Sequence, residues 1–196
     1  MIKTFFEKFS FFLFLFLIPI TILSMDDSDI FLDSVFNNAV QKGDVEKVKK
    51  MIGDGRSKIE KKIYLNNKDS DGMIPLAYAL KNDDSNMFYL LLEGGANINI
   101  SVLEGKSLLI FYVSNNRFNL IDDLIKAGVN INLQDKLGRT ALMISIETRN
   151  FEAVQILSKK KFDVTLTDFG GKTILDYAKK CRDVRIKNLI NKIESM

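Results

Sequence analysis

Three pairs of adjacent carboxylates (Asp26 with Asp27, Asp83 with Asp84, Asp122 with Asp123) and one thiol, Cys181, are the groups in this 196-residue chain best equipped for chemistry. A carboxylate pair can share a proton for acid–base work or hold a metal ion, and a thiolate can act as a nucleophile. Both need helpers that this composition withholds. The chain contains no histidine, so the thiol has no imidazole base, and zinc sites of the usual histidine type are excluded. A single cysteine also excludes an intramolecular disulfide. Gly94 with Gly95 and Gly170 with Gly171 lack the spacing of a phosphate loop. The lysines from Lys159 to Lys161 sit where a helix C-terminus favours cations. Each acid pair reads as solvated charge: the first follows an apolar run, the second falls in a turn between helices, the third on an exposed helix side. Cys181 reads as a small, partly buried helix residue. The expectation is no catalytic residue, no cofactor and no metal.

The elements that would position these residues recur. Gly72, Gly105, Gly138 and Gly171 stand 33 residues apart and open the phrases GMIPLAYAL, GKSLLIFYV, GRTALMISI and GGKTILDYA. Ser107, Thr140 and Thr173 follow their glycines by two positions, where a hydroxyl can cap the helix behind it. A second ladder keeps the same register through GGANIN at Gly94, AGVNIN at Ala127 and KKFDVT at Lys160. Met87, Leu90 and Leu91, then Ile121, Leu124 and Ile125, recur at helical spacing and give each second helix one apolar stripe. Gly95 and Gly128 end those runs where a helix C-terminus needs a residue tolerating positive φ. No single helix pair can bury such a stripe alone, so the pairs must stack. In the last unit Lys187, Asn188 and Asn191 replace Val154, Gln155 and Ser158, as a water-facing cap requires.

The period and the residues that carry it resemble the ankyrin repeat family. Asp69, Gly72, Ile74, Pro75, Leu76 and Ala79 match the first half of a family repeat. So do Asp135, Gly138, Thr140 and Leu142, and again Asp168, Gly171, Thr173, Leu175 and Ala178. The second half is matched by Leu91, Leu92, Gly95, Ala96 and Asn99, and by Leu124, Ile125, Gly128 and Asn132. An irregular first unit carries Ala39, Gly43, Val48, Met51, Ile52 and Gly55, followed by an insert around RSKIEKKIYLNNKD. The resemblance implies an all-α solenoid of about five helix-turn-helix repeats joined by β-hairpin loops, over residues 29–196. The expected repeats are 30–65, 69–101, 102–134, 135–167 and 168–196. The chain departs from the family where a histidine usually ties neighbouring repeats: Ala77, Ile110, Met143 and Asp176 stand there. Packing by Ile110 and Met143 is expected to replace part of that stabilisation.

The first 24 residues differ in kind. Lys3 and Lys8 precede an apolar run from Phe11 to Leu23, followed by Ser24 and the acidic MDDSD. That order is the one of a secretory signal. As a helix the run reaches only about 20 Å, short of the roughly 30 Å of hydrocarbon it would have to span. Export to a periplasm or medium, with cleavage near Met25, is the expectation; an uncleaved membrane anchor is the alternative. The net charge of +3 is too small for a general nucleic-acid binder. Abundant lysine, asparagine, isoleucine and phenylalanine suggest an AT-rich, bacterial genome.

By the resemblance, binding uses the hairpin tips and the exposed side of the inner helices. The residues after the repeat glycines, Met73, Lys106, Arg139 and Lys172, are carried onto that surface, with Leu103, Leu137 and Phe169 at the tips beside them. The expected function is non-enzymatic: a monomer that holds a protein partner bearing an acidic surface with an apolar patch. Reversing the three basic residues to glutamate is expected to abolish binding and leave the melting curve nearly unchanged. A membrane-anchored scaffold and an enzyme using Cys181 or an acid pair are the competing readings.

Overall fold

The computed structural model describes residues 27–53 and 64–194. The N-terminal apolar run, Asp26 and the insert from Lys58 to Lys62 lie outside the described residues. The chain divides into two compact units, Met1–Val35 and Phe36–Met196. In the first, the described part is the beginning of one helix. The second holds the array.

Ten helices among the described residues form five helix-turn-helix pairs. They are α1 (Asp27–Gln41) with α2 (Val45–Ile52), α3 (Pro75–Lys81) with α4 (Ser85–Glu93), and α5 (Leu108–Ser114) with α6 (Ile121–Lys126). Then come α7 (Ala141–Glu147) with α8 (Phe151–Leu157), and α9 (Ile174–Lys180) with α10 (Val184–Glu194). The inner helices α3, α5, α7 and α9 pack in succession, and the outer helices α6, α8 and α10 do the same beside them. The fold is an all-α repeat solenoid, as the 33-residue period requires.

Local chemistry explains each entry and exit. The hydroxyls of Ser107, Thr140 and Thr173 accept the amides of Ile110, Met143 and Asp176 and so cap α5, α7 and α9. Helix α3 begins instead with Pro75 at its first turn, where a missing amide costs nothing. Asp44, Asp84 and Asn150 cap the outer helices α2, α4 and α8. The core follows the stripes: Met87, Leu91, Ile121 and Leu124 are inaccessible to solvent, and so are Ala153 and Val154. On α10, Ile186 and Ile190 face the core while Asn188 and Asn191 are exposed, which gives the terminal unit its polar outer side.

Between pairs the chain makes short hairpins. Isolated bridges join Val102 to Lys106, Gln134 to Thr140 and Thr167 to Thr173. Their glycines all carry positive φ, from +73° at Gly72 to +79° at Gly105. The hairpins also touch one another. The Phe169 amide donates to the Leu137 carbonyl at 2.9 Å, and the Gln134 side-chain amide reaches the Thr167 carbonyl at 2.8 Å.

Candidate partner-binding face

Three of the hairpins open with an aspartate that holds them, buried at Asp135 and Asp168 and half-buried at Asp69. Asp69 accepts the amides of Asp71 and Met73, Asp135 those of Leu137 and Arg139, and Asp168 those of Gly170 and Lys172. The second oxygen of each finds a different partner. Tyr78 donates its hydroxyl to Asp69, and Tyr177 donates to Asp168 at 2.8 Å. In the hairpin between them, Arg139 grips Asp135 through Nε at 3.0 Å and its terminal nitrogen at 2.8 Å, and reaches Glu147 at 2.6 Å. Burial would raise the Asp135 carboxyl, but the hydrogen bonds from Arg139 and Leu137 outweigh it and hold the group below its ordinary range. Burial, reinforced by the aspartate hydrogen bonds, pushes the Tyr78 and Tyr177 hydroxyls well above theirs.

These bonds tie each hairpin to the inner helix of its own repeat. At the positions of the absent family histidine Ile110 and Met143 are buried, as expected, while Tyr78 and Tyr177 stand one residue after Ala77 and Asp176 and bond within their own repeats. The signal was present in the sequence as a tyrosine nine positions after the hairpin aspartate in two repeats. A further tie runs between neighbouring repeats. Tyr112 donates to Asp83 and accepts the Leu120 amide, and Arg117 pairs with Asp83 at 2.6 Å.

Two of the three acid pairs have structural roles, and Asp26 of the remaining pair lies outside the described residues. Asp83 serves that inter-repeat tie and Asp84 caps α4. Asp122 pairs with Lys160 at 2.8 Å, and Asp123 accepts the Tyr89 hydroxyl at 2.6 Å. Asp27 begins α1. Cys181 is buried at the end of α9, its thiol against the Ile146 carbonyl at 3.6 Å. Among the described residues, no group of three or more acidic, cysteine or histidine side chains could hold a metal ion.

The expected binding residues separate into distinct environments. Met73 is a correction: it is 4% exposed and belongs to the core. Its unbranched apolar side chain gains by leaving water, where the cations at the equivalent positions would lose. Lys106 is half-buried and pairs with Glu104 at 3.5 Å. Arg139 is half-buried and committed to Asp135 and Glu147, so its reversal would break a hairpin. Only Lys172, exposed, presents a cation outside any ion pair among the described members of this column. The tips fare as expected: Leu103 is 38% exposed, Leu137 57% and Phe169 78%. Leu137 and Phe169 form one ledge, fixed by the hydrogen bond between their backbones.

Sequence reasoning missed a recess that Lys172 helps to line. Between the ends of α7 and α9 lies an open cavity of about 440 Å³ whose lining includes Arg149, Lys172, Lys180 and Arg182. The signal for it was the 33-residue step from Arg149 to Arg182.

A stacked array of helix pairs with an open, side-chain-lined face is a scaffold for holding other molecules, and its period and hairpins specify which kind. The family model for ankyrin repeats in three copies matches residues 36–132 and 108–193. The chain belongs to the ankyrin repeat family. It is 33% identical over 73 residues to an ankyrin repeat protein of Rickettsia bellii (strain RML369-C), an alignment covering 37% of this chain and 10% of that relative. The chain thus matches about a tenth of that protein's length. Proteins of this family are in general protein–protein interaction modules and typically not enzymes.

Proposed function

We propose that the protein is an exported, monomeric binding module that carries out no reaction of its own and holds a partner along its hairpin tips and inner-helix face. The observation behind this reading is the ledge of Leu137 and Phe169, 57% and 78% exposed yet rigidly placed, beside the cation of Lys172. Large apolar side chains held out into water cost free energy that a partner's apolar patch would recover. The basic side chain next to them matches an acidic rim, whose attraction would raise the association rate and weaken with salt.

The test is capture of the partner by the immobilised chain and by its Leu137→Ser, Lys172→Glu variant. Loss of capture with an unchanged melting temperature supports this face; undiminished capture contradicts it. Export rests on the apolar run from Phe11 to Leu23 and its flanks. No helix among the described residues is long and apolar enough to cross a membrane. Intact mass of the protein from the cell exterior should show a chain beginning near Met25. Full-length mass in the membrane fraction would instead make the protein an anchored scaffold.

A further inference from the structure

We infer that the recess between α7 and α9 is a carboxylate site for an extended acidic peptide segment, a reading that rests on the binding face proposed above and names what it takes. Several polar groups lining the recess already have partners. Of the groups lining the recess, Glu147 is held by Arg139 at 2.6 Å, the Tyr177 hydroxyl is given to Asp168, and the Cys181 thiol to the Ile146 carbonyl. Arg149, Lys172, Lys180 and Arg182 have no carboxylate within 4.0 Å among the described residues. Four cations and one carboxylate, itself paired to Arg139, therefore line one concave opening; Lys172 and Lys180 act on Asp168 and Asp176 only from beyond contact distance, and a concave low-dielectric wall concentrates the positive field that remains.

Helix polarity favours a cation at both positions, Lys180 in the last turn of α9 and Arg149 just past the end of α7. Arg149 occupies the turn between α7 and α8 with φ +57°, at the position held in other repeats by Gly43, Asp83 and Asn116. Glycine, aspartate and asparagine enter the left-handed region readily; arginine does so at greater cost. The turn takes positive φ in all four repeats, so the fold sets the conformation; what is particular to this repeat is that the turn carries a cation lining the recess.

The neighbourhood selects a peptide over a polyanion. Lys172 lines the recess and stands three residues after Phe169, so one short segment carries both a cation of the opening and an exposed apolar side chain that an extended peptide running on from the recess can cover. A nucleic acid or polyphosphate would use the cations and leave that side chain exposed. About 440 Å³ suits a short run of side chains.

The experiment titrates the full chain into a fluorescein-labelled peptide rich in Glu and Asp and carrying one Phe, read by anisotropy. Its Gln and Asn counterpart and tripolyphosphate serve as comparisons. The acidic peptide should bind and the amide peptide should not. Arg149→Gly with Arg182→Gln should weaken binding by about tenfold. Because Arg149→Gly also relieves the strained turn, its thermal midpoint should not fall, which separates lost recognition from lost folding. Binding unaffected by these changes, no binding of the acidic peptide, or equal binding of tripolyphosphate by the same residues would overturn the inference. If the peptide fails while the Leu137→Ser, Lys172→Glu variant still loses its partner, the recess falls and the binding face stands.

Discussion

Replacing Gly138 by alanine isolates the contact that joins the last two hairpins. Gly138 has φ +77°, where an L side chain costs about 1–2 kcal/mol. An added Cβ would also lie 2.7 Å from the Phe169 nitrogen, 2.7 Å from its ring and 3.0 Å from the Asp168 carbonyl carbon. Backbone cannot swing aside as a side-chain tip can, so the hairpin must shift and the Phe169-to-Leu137 hydrogen bond must lengthen or break. Losing that bond adds about 1 kcal/mol, for a total of about 2–3 kcal/mol. Gly105 and Gly171 provide the controls. Their φ values, +79° and +75°, are nearly the same, but a Cβ on either meets nothing within 4 Å. Each should lose only the conformational part, about 1–2 kcal/mol. Gly105 is interior to the array and Gly171 is near its end, so together they control for position. Urea melts followed by circular dichroism measure all three. Equal losses at the three glycines would refute a close approach between the hairpins of Leu137 and Phe169.

Leu124→Ala, at a fully buried site of α6, should destabilise by about 2–5 kcal/mol in urea melts. Arg139→Glu should lower the thermal midpoint sharply, because it sets a third carboxylate against Asp135 and Glu147. Lys172→Glu should change stability by no more than about 0.5 kcal/mol, in contrast to the equivalence of these cations expected from spacing alone. Stability should be nearly level across neutral pH, since no histidine titrates there. The carboxyls of Asp135, Asp168 and Asp176 are held below their unfolded values, so their contribution is present above about pH 4 and lost as acid protonates them. The hydroxyls of Tyr78, Tyr112 and Tyr177 are raised, so theirs is present below about pH 10 and lost above it. Melting temperatures across that range should trace a plateau with two falling edges.

Periodicity made the fold legible. A glycine every 33 residues, with a hydroxyl behind it and an apolar stripe beyond, admits few structures other than stacked helix pairs. The capping roles of Ser107, Thr140 and Thr173 could likewise be read directly, because a cap is a local bond over three residues. The binding face was legible only where exposure follows from register. Leu137 and Phe169 are at hairpin tips and remain exposed, but the column after the glycines is not uniform. Its members take the environment their chemistry prefers: Met73 turns inward, Arg139 turns to Asp135, Lys172 stays in water. Pairings between residues 29 to 36 apart, such as Tyr112 with Asp83 and Arg117 with Asp83, depend on how one repeat sits on the next. A one-dimensional period does not show that. The recess escaped for the same reason, since Arg149 and Arg182 come together only through stacking.

On the reading proposed above, partners are held on the hairpin and inner-helix side. Photo-crosslinking residues placed singly at Phe169, Lys172, Tyr89 and Val184 in the native cell test it most directly. Tyr89 and Val184 are also exposed, 44% and 65%, but belong to the outer helices α4 and α10. Adducts with the same partner from Phe169 and Lys172, and none from Tyr89 or Val184, are the predicted result. Adducts from Tyr89 or Val184, with none from the hairpin positions, would place the interface on the outer helices and contradict the claim.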